Sequence, residues 1–228
     1  MCSSKKGMSA HQIHRTLGVT LKSAWFMMHR LRHAVARKAP LGKLLQGVIE
    51  CDETYVGGKP RLGDRLRGTG YRKDSNKVPV VALLERGGDV RTKVVANVNQ
   101  KNLRSFIDDN IVRDCVVNTD CNPVYKNILY PIVKGRFGKH EMVDHKSGEY
   151  ARHNPDGTVA HINTCESFFS LIKRGVYGSF HHVSKEHLHR YCDEFGFRWN
   201  TRYLTDGERM QEAVSMAEGR RLTYKQVN

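Results

Sequence analysis

Three stretches of the sequence place acidic side chains where they could do chemistry. The first reads Val48-Ile-Glu-Cys-Asp-Glu-Thr-Tyr55. Its composition favours an extended strand, in which successive side chains point to opposite faces. Glu50, Asp52 and Thr54 then share one face and Cys51, Glu53 and Tyr55 the other, so Asp52 and Glu53 are not expected at a common site. Carboxylates in an apolar strand are costly without a cation or hydrogen-bond donors. The second stretch, Val116-Val-Asn-Thr-Asp120, ends a short apolar strand on an acid and continues into Cys-Asn-Pro. Sheet proteins gather site residues at the carboxyl ends of strands, although Asp120 also fits an Asx turn. The third stretch is Asn163-Thr-Cys-Glu-Ser-Phe-Phe-Ser-Leu-Ile-Lys173. Cys165, Phe168, Phe169 and Ile172 recur at i, i+3, i+4 and i+7, the apolar stripe of a helix facing a core. Glu166, Ser170 and Lys173 fall on the opposite face. Asn163 followed by Glu166 also reads as a capping box, which would give this acid a purely local role.

If the two strands are neighbours, Asp52 and Asp120 meet, and a helix packed nearby brings Glu166 as a third acid. Converging carboxylates raise each other's pKa. A divalent cation removes that repulsion, and an all-oxygen ligand set suits Mg²⁺ or Mn²⁺. Two such ions ~3.5–4 Å apart clamp the attacking and leaving oxygens of a phosphodiester.

The elements that must position these acids follow from periodicity. Strands are expected over Gly47–Tyr55, Val78–Arg86 and Val90–Val98, with Gly87-Gly88 as a hairpin turn between the last two. Asn99 caps a helix running to about Ile111, Cys115–Thr119 is a short buried strand, Asn122–Leu129 is helical, and another strand lies within Ile132–Val143. After the acid-bearing helix come helices over Ser184–Asn200 and Asp206–Glu218, the latter with Met210, Ala213, Val214 and Ala217 inward. A hairpin meander joined to βα units implies a mixed sheet with helices on its faces. Ahead of it, Ser9–Leu17, a turn at Gly18 and a longer basic helix from Leu21 to Val35 form the pattern of a helix-turn-helix, equally that of a plain helical hairpin. Lys22, His29, Arg30, Arg32, His33, Arg37 and Lys38 would line its outer face.

The chain has 228 residues, enough for one ordinary domain with a small extra segment. The expected division is a partial helix-turn-helix over 1–39 and a catalytic domain over 40–228. A net charge of +15 and a pI near 9.7 point to a polyanionic partner, foremost nucleic acid. The long segment between the first two strands concentrates that charge in Lys59, Arg61, Arg65, Arg67, Arg72 and Lys73, suited to phosphate contacts. Six cysteines without a Cys-x-x-Cys pair read as reduced core residues, not as disulfides or a zinc site. No apolar run reaches the ~20 residues of a membrane helix, and the N-terminus lacks a signal-peptide pattern. A cytoplasmic protein without a membrane partner is expected.

Several motifs taken together resemble a family. Asp52-Glu-Thr-Tyr-Val-Gly-Gly58, Thr119-Asp120, His145-Lys-Ser-Gly-Glu-Tyr150, Asn163-Thr-x-Glu166 followed by Lys173-Arg-Gly, and Tyr191-x-Asp-Glu-Phe-x-Phe-Arg-x-Asn200 look like DDE-type insertion-sequence transposases of the ISXO type. The likeness covers nearly all of residues 8–223. It implies an α/β fold, an RNase H-like mixed sheet with flanking helices, preceded here by the small helix-turn-helix segment. It implies Asp52 and Asp120 as metal ligands, with Glu166 or Asn163 at the third position and two Mg²⁺ or Mn²⁺ ions. Lys173, with Arg174 beside it, would contact DNA near the cut. The implied partners are duplex DNA, as element ends and as target, and further copies of the chain in a homodimer or larger assembly, in a bacterial, nucleoid-associated setting. The group usually carries a zinc ribbon before the helix-turn-helix, and this sequence shows none. An active transposase is therefore expected, with a truncated DNA-binding remnant or a structure-specific nuclease of the same fold as alternatives.

Overall fold

The computed structural model describes residues 1–36, 43–58, 77–129 and 138–227. Five strands form a mixed sheet in the order β3-β2-β1-β4-β5: β1 Val48–Val56, β2 Val78–Glu85, β3 Val90–Val94, β4 Val116–Asp120 and β5 Lys139–Val143. The first three make the antiparallel meander, and β1, β4 and β5 run parallel. This is the RNase H-like arrangement. Helix α3 (Gln100–Asp108), capped by the Asn99 side chain, and α4 (Pro123–Leu129) cover one face. Leu103, Phe106, Ile107, Tyr125 and Leu129 pack there against Ile49, Cys51, Val81, Leu83 and Val117. Helices α5 (Asn163–Gly175) and α6 (Leu188–Asn200) cover the other. Cys165, Phe168, Phe169, Ile172, Leu188, Cys192 and Phe195 meet Val80, Ala82 and Leu84. The strict alternation along β2, with Val80, Ala82 and Leu84 on one side and Val81 and Leu83 on the other, is what a strand buried on both faces requires. Before α5, a small hairpin of β6 (Arg152–His153) and β7 (Val159–Ala160) extends the chain.

Helices α1 (Ala10–Leu17) and α2 (Leu21–Val35) are capped by Ser9 and Thr20 and joined through Gly18 in the left-handed conformation. Helix α2 does not keep all of its basic residues for solvent. Arg32, expected on a DNA-facing surface, is 2% exposed: its Nε donates to Glu194 of α6 at 2.7 Å, and its guanidinium lies over the Tyr191 ring. Glu194 also accepts from Arg198 at 2.6 Å. His29 is likewise buried, packed edge-on against Trp25 and tilted against His187. The reason is packing: α2 is pressed onto α6, so the same helical turn that carries Val35 and Met28 inward carries these polar groups with them. Arg30 stays exposed, beside Phe26.

Two further expectations are corrected. In the last helix, α7 (Asp206–Ala217), Met210 and Val214 are 58% and 68% exposed and no residue is buried, so its apolar stripe does not enter the core. The helix expected from Ser184 begins at Leu188. Cys51, Cys115, Cys165 and Cys192 are free and buried, as reduced core residues should be. No helix is long and apolar enough to cross a membrane.

Candidate active site

The pairing of β1 with β4 ends at Cys51 opposite Thr119. The next residue on each strand is an aspartate, so Asp52 and Asp120 lie next to each other where the β1–β4 pairing stops, Asp52 still paired with Ala82 of β2 and Asp120 with Val143 of β5. Glu53 joins them: ligand oxygens of Asp52, Glu53 and Asp120 all lie within 4.8 Å of one another. Strict alternation would send Asp52 and Glu53 apart, but the β1–β4 pairing has ended here and the longer Glu53 side chain brings its carboxylate to the same cluster. It is held by the Tyr125 hydroxyl at 2.5 Å and by the Asn122 amide at 2.8 Å. Asp120 accepts from the Asn122 backbone N–H at 3.0 Å, the Asx turn that starts α4. The turn and the site are therefore the same structure.

The electrostatics are those of crowded acids. Burial pushes the Asp52 carboxyl up to about 8, and the charges of Glu53, Asp120 and Glu166 add to this, against one backbone N–H from Glu53. Glu53 is also raised, first by burial and then by Asp120, while Tyr125 and Asn122 oppose. Three oxygen donors with mutual repulsion and no ion pair of their own among the described residues fit a hard divalent cation.

Glu166 sits in the first turn of α5 with Asn163, Ser170 and Lys173 on the exposed face. An acid there is favoured by the helix dipole. Its Oε1 lies 3.1 Å from His145 Nδ1. The expected capping box is absent: the N-cap is Ile162, and no side chain of the helix caps it. The cap comes from across the core. Glu50, fully buried on β1, accepts from the Cys165 N–H and the Thr164 hydroxyl, both at 2.9 Å. It also pairs with Arg86 Nε at 3.1 Å, and His161 lies at 3.2 Å. One carboxylate thus ties the strand carrying Asp52 to the helix carrying Glu166. The sequence signal for it was an acid on the inward face of a strand, but its partner is 115 residues away.

The remaining candidates divide. Asn163 is exposed at the start of α5, and Lys173 and Arg174 are exposed near its end, with Arg174 Nε on the Ser170 carbonyl at 3.2 Å. Lys59, Arg61, Arg65, Arg67, Arg72 and Lys73, like Arg37 and Lys38, lie outside the described residues. His145 and Glu53 were within recognised motifs, yet their places at the site depend on the fold.

A family model described as an ISXO2-like transposase domain matches residues 44–200. A protein of Halobacterium salinarum, described as an uncharacterized protein in transposable element ISH50, is 30% identical over 203 residues. That match takes in 83% of this chain but 64% of the relative, so the chain spans less than two thirds of its length. Among solved structures, a chain of the simian T-cell lymphotropic virus intasome in complex with a PP2A regulatory subunit aligns with 97% of this chain and 71% of its own, at 14% identity and a TM-score of 0.36. A chain of the Mos1 strand transfer complex aligns with 93% of this chain and 71% of its own, at 10% identity and a TM-score of 0.39. With the family match covering well over half of its residues, the chain belongs to the ISXO2-like transposase domain family.

Proposed function

We propose that the chain is a transposase that cleaves DNA at the ends of an insertion sequence and joins the freed end to a target. The observation that carries this reading is the placement of Asp52 and Asp120 next to each other where the β1–β4 pairing of an RNase H-like sheet ends, with Glu166 on the helix tethered to β1. Asp52, Asp120 and Glu166 would hold Mg²⁺ or Mn²⁺, two ions supplying a water-derived nucleophile and stabilisation of the leaving oxygen. Glu53 forms the wall of the same cluster, fixed by Tyr125 and Asn122. Burial raises the proton affinity of Asp52 and Glu53, and a bound cation would displace those protons. Lys173 and Arg174 contact the phosphates beside the cut, and the net charge of +15 draws duplex DNA to the molecule. The α1–α2 segment contributes through its exposed Arg30, and two ends require more than one copy of the chain.

Cleavage and joining of a labelled element end by wild type, Asp52→Asn and Glu166→Gln, with Mg²⁺ and with Mn²⁺, tests this. Loss of both reactions in both variants, with DNA binding retained, is the expected result. Unchanged cleavage by Glu166→Gln would move the third position to Glu53 or Asn163. Wild type that binds DNA but neither nicks nor joins it would overturn the catalytic reading in favour of a DNA-binding remnant. Nicks without joined products would point to a nuclease.

A further inference from the structure

We infer that His145 is the positioning residue for the third carboxylate, donating from Nδ1 to Glu166 Oε1 and so leaving Oε2 for an ion. This rests on the proposed role of Glu166.

The 3.1 Å contact joins two elements whose register is already set by the buried cluster of Val143, Ala160 and Ile162. His145 opens a short turn after β5, and Glu166 lies on α5. An ionised carboxylate only accepts, so the hydrogen lies on Nδ1. A casual surface pair would leave the imidazole free to rotate into water. Here the ring is held. Its Nε2 is buried without a hydrogen-bond partner, a cost that a freely turning side chain would relieve. The ring packs against Tyr150 at 5.4 Å between centroids. The turn beneath it is closed by Asp144, whose side chain accepts from the Lys146 N–H at 3.0 Å and whose carbonyl accepts from the Ser147 hydroxyl at 2.9 Å. The Asp144 N–H in turn donates to Glu149 at 3.0 Å.

Glu166 needs such a partner. Its side chain is 46% exposed, and among the described residues Oε2 has no hydrogen bond. A long, half-exposed glutamate samples many rotamers, so fixing one oxygen fixes the direction of the other. Asp52 and Asp120 need no such help, because the strand backbone holds their short side chains in place.

The test is Mn²⁺ binding by the full chain, followed by calorimetry and by the EPR signal of free Mn²⁺, with no DNA present. His145→Phe keeps the ring and its packing on Tyr150 but removes the donor, and should weaken Mn²⁺ binding by about tenfold or more. His145→Asn places an amide N–H near the former Nδ1 and should recover most of that loss, whereas His145→Gln, with its donor one bond further out, should not. In a Glu166→Gln background, His145→Phe should have no further effect. An equal loss in both backgrounds would mean a merely structural role and overturn the proposal. Weaker binding by Glu166→Gln together with unchanged binding by His145→Phe would overturn it while leaving Glu166 as a ligand. Unchanged binding by Glu166→Gln would remove the reading of Glu166 itself. Should His145→Phe fail to fold, the contrast between His145→Asn and His145→Gln decides alone.

Discussion

Replacing Asp52 by Asn should stabilise the metal-free protein at alkaline pH, although it destroys the proposed site. The folded protein holds the Asp52 proton up to about 8, against 3.8 in the unfolded chain. The folded state therefore binds this proton more tightly. Its contribution to stability is fully present below pH ~4 and is lost as pH rises through about 8. A gap of about four pH units, at ~1.36 kcal/mol each, sets a ceiling of about 5–6 kcal/mol. The carboxyl is only partly shielded from water, which lowers the expected loss to about 2–3 kcal/mol. The assay is urea unfolding in EDTA at half-unit steps from pH 5 to 9. Wild type should lose stability across that range, and Asp52→Asn should follow a much flatter line, with the residual slope coming from Glu53. Saturating Mn²⁺ at pH 8 should restore the wild type, since ligand at a hundredfold over Kd contributes about 2.7 kcal/mol, and leave the variant nearly unchanged. Parallel lines for the two proteins in EDTA would refute the argument that crowding and burial strain this site.

Glu50→Ala should cost about 3–4 kcal/mol in urea unfolding, because it leaves Arg86 and the Cys165 N–H without their carboxylate; Glu50→Gln, which keeps an acceptor, should lose less. Faster amide exchange in the first turn of α5 would locate the damage. Arg32→Ala should cost about 3 kcal/mol by the same measurement, through the fully buried Glu194, while Arg30→Ala should be nearly neutral for stability and should lower the salt dependence of DNA binding. Burial and the neighbouring Arg32 hold His29 down to about 3. Its neutral form is what packs, so the stability it contributes is complete above pH ~6.5 and is lost as pH falls from there towards 3. Trp25, 4.3 Å from the imidazole, should report this as a fluorescence change that His29→Phe abolishes.

Much of the fold was legible because it is written in local periods. The stripe of Cys165, Phe168, Phe169 and Ile172 predicts both the helix and the face that meets the sheet, and the structure places all four in one core. The apolar run of β2 and the turn signal at Gly87-Gly88 predict the meander in the same way. Asp52 and Asp120 were legible for a related reason, since each follows directly from where its strand stops being apolar.

Charges were not legible to the same degree. Helical spacing puts Arg30 and Arg32 alike on a basic helix, and only the packing of α2 on α6 decides that one faces solvent and the other faces Glu194. The hydrophobic stripe of α7 is equally regular, yet among the described residues no element covers Met210 and Val214. Asn163 and Glu166 have capping-box spacing, but a buried carboxylate from another strand took the helix N–H first. Glu53 and His145 reached the site only through the end of a strand pairing and a turn after β5. The sequence by itself determined which segments are helix or strand and which face of each is apolar, because those follow from contacts a few residues apart. The tertiary structure alone decided what each buried charge pairs with, because that choice depends on groups tens to hundreds of residues distant competing for the same hydrogen bonds.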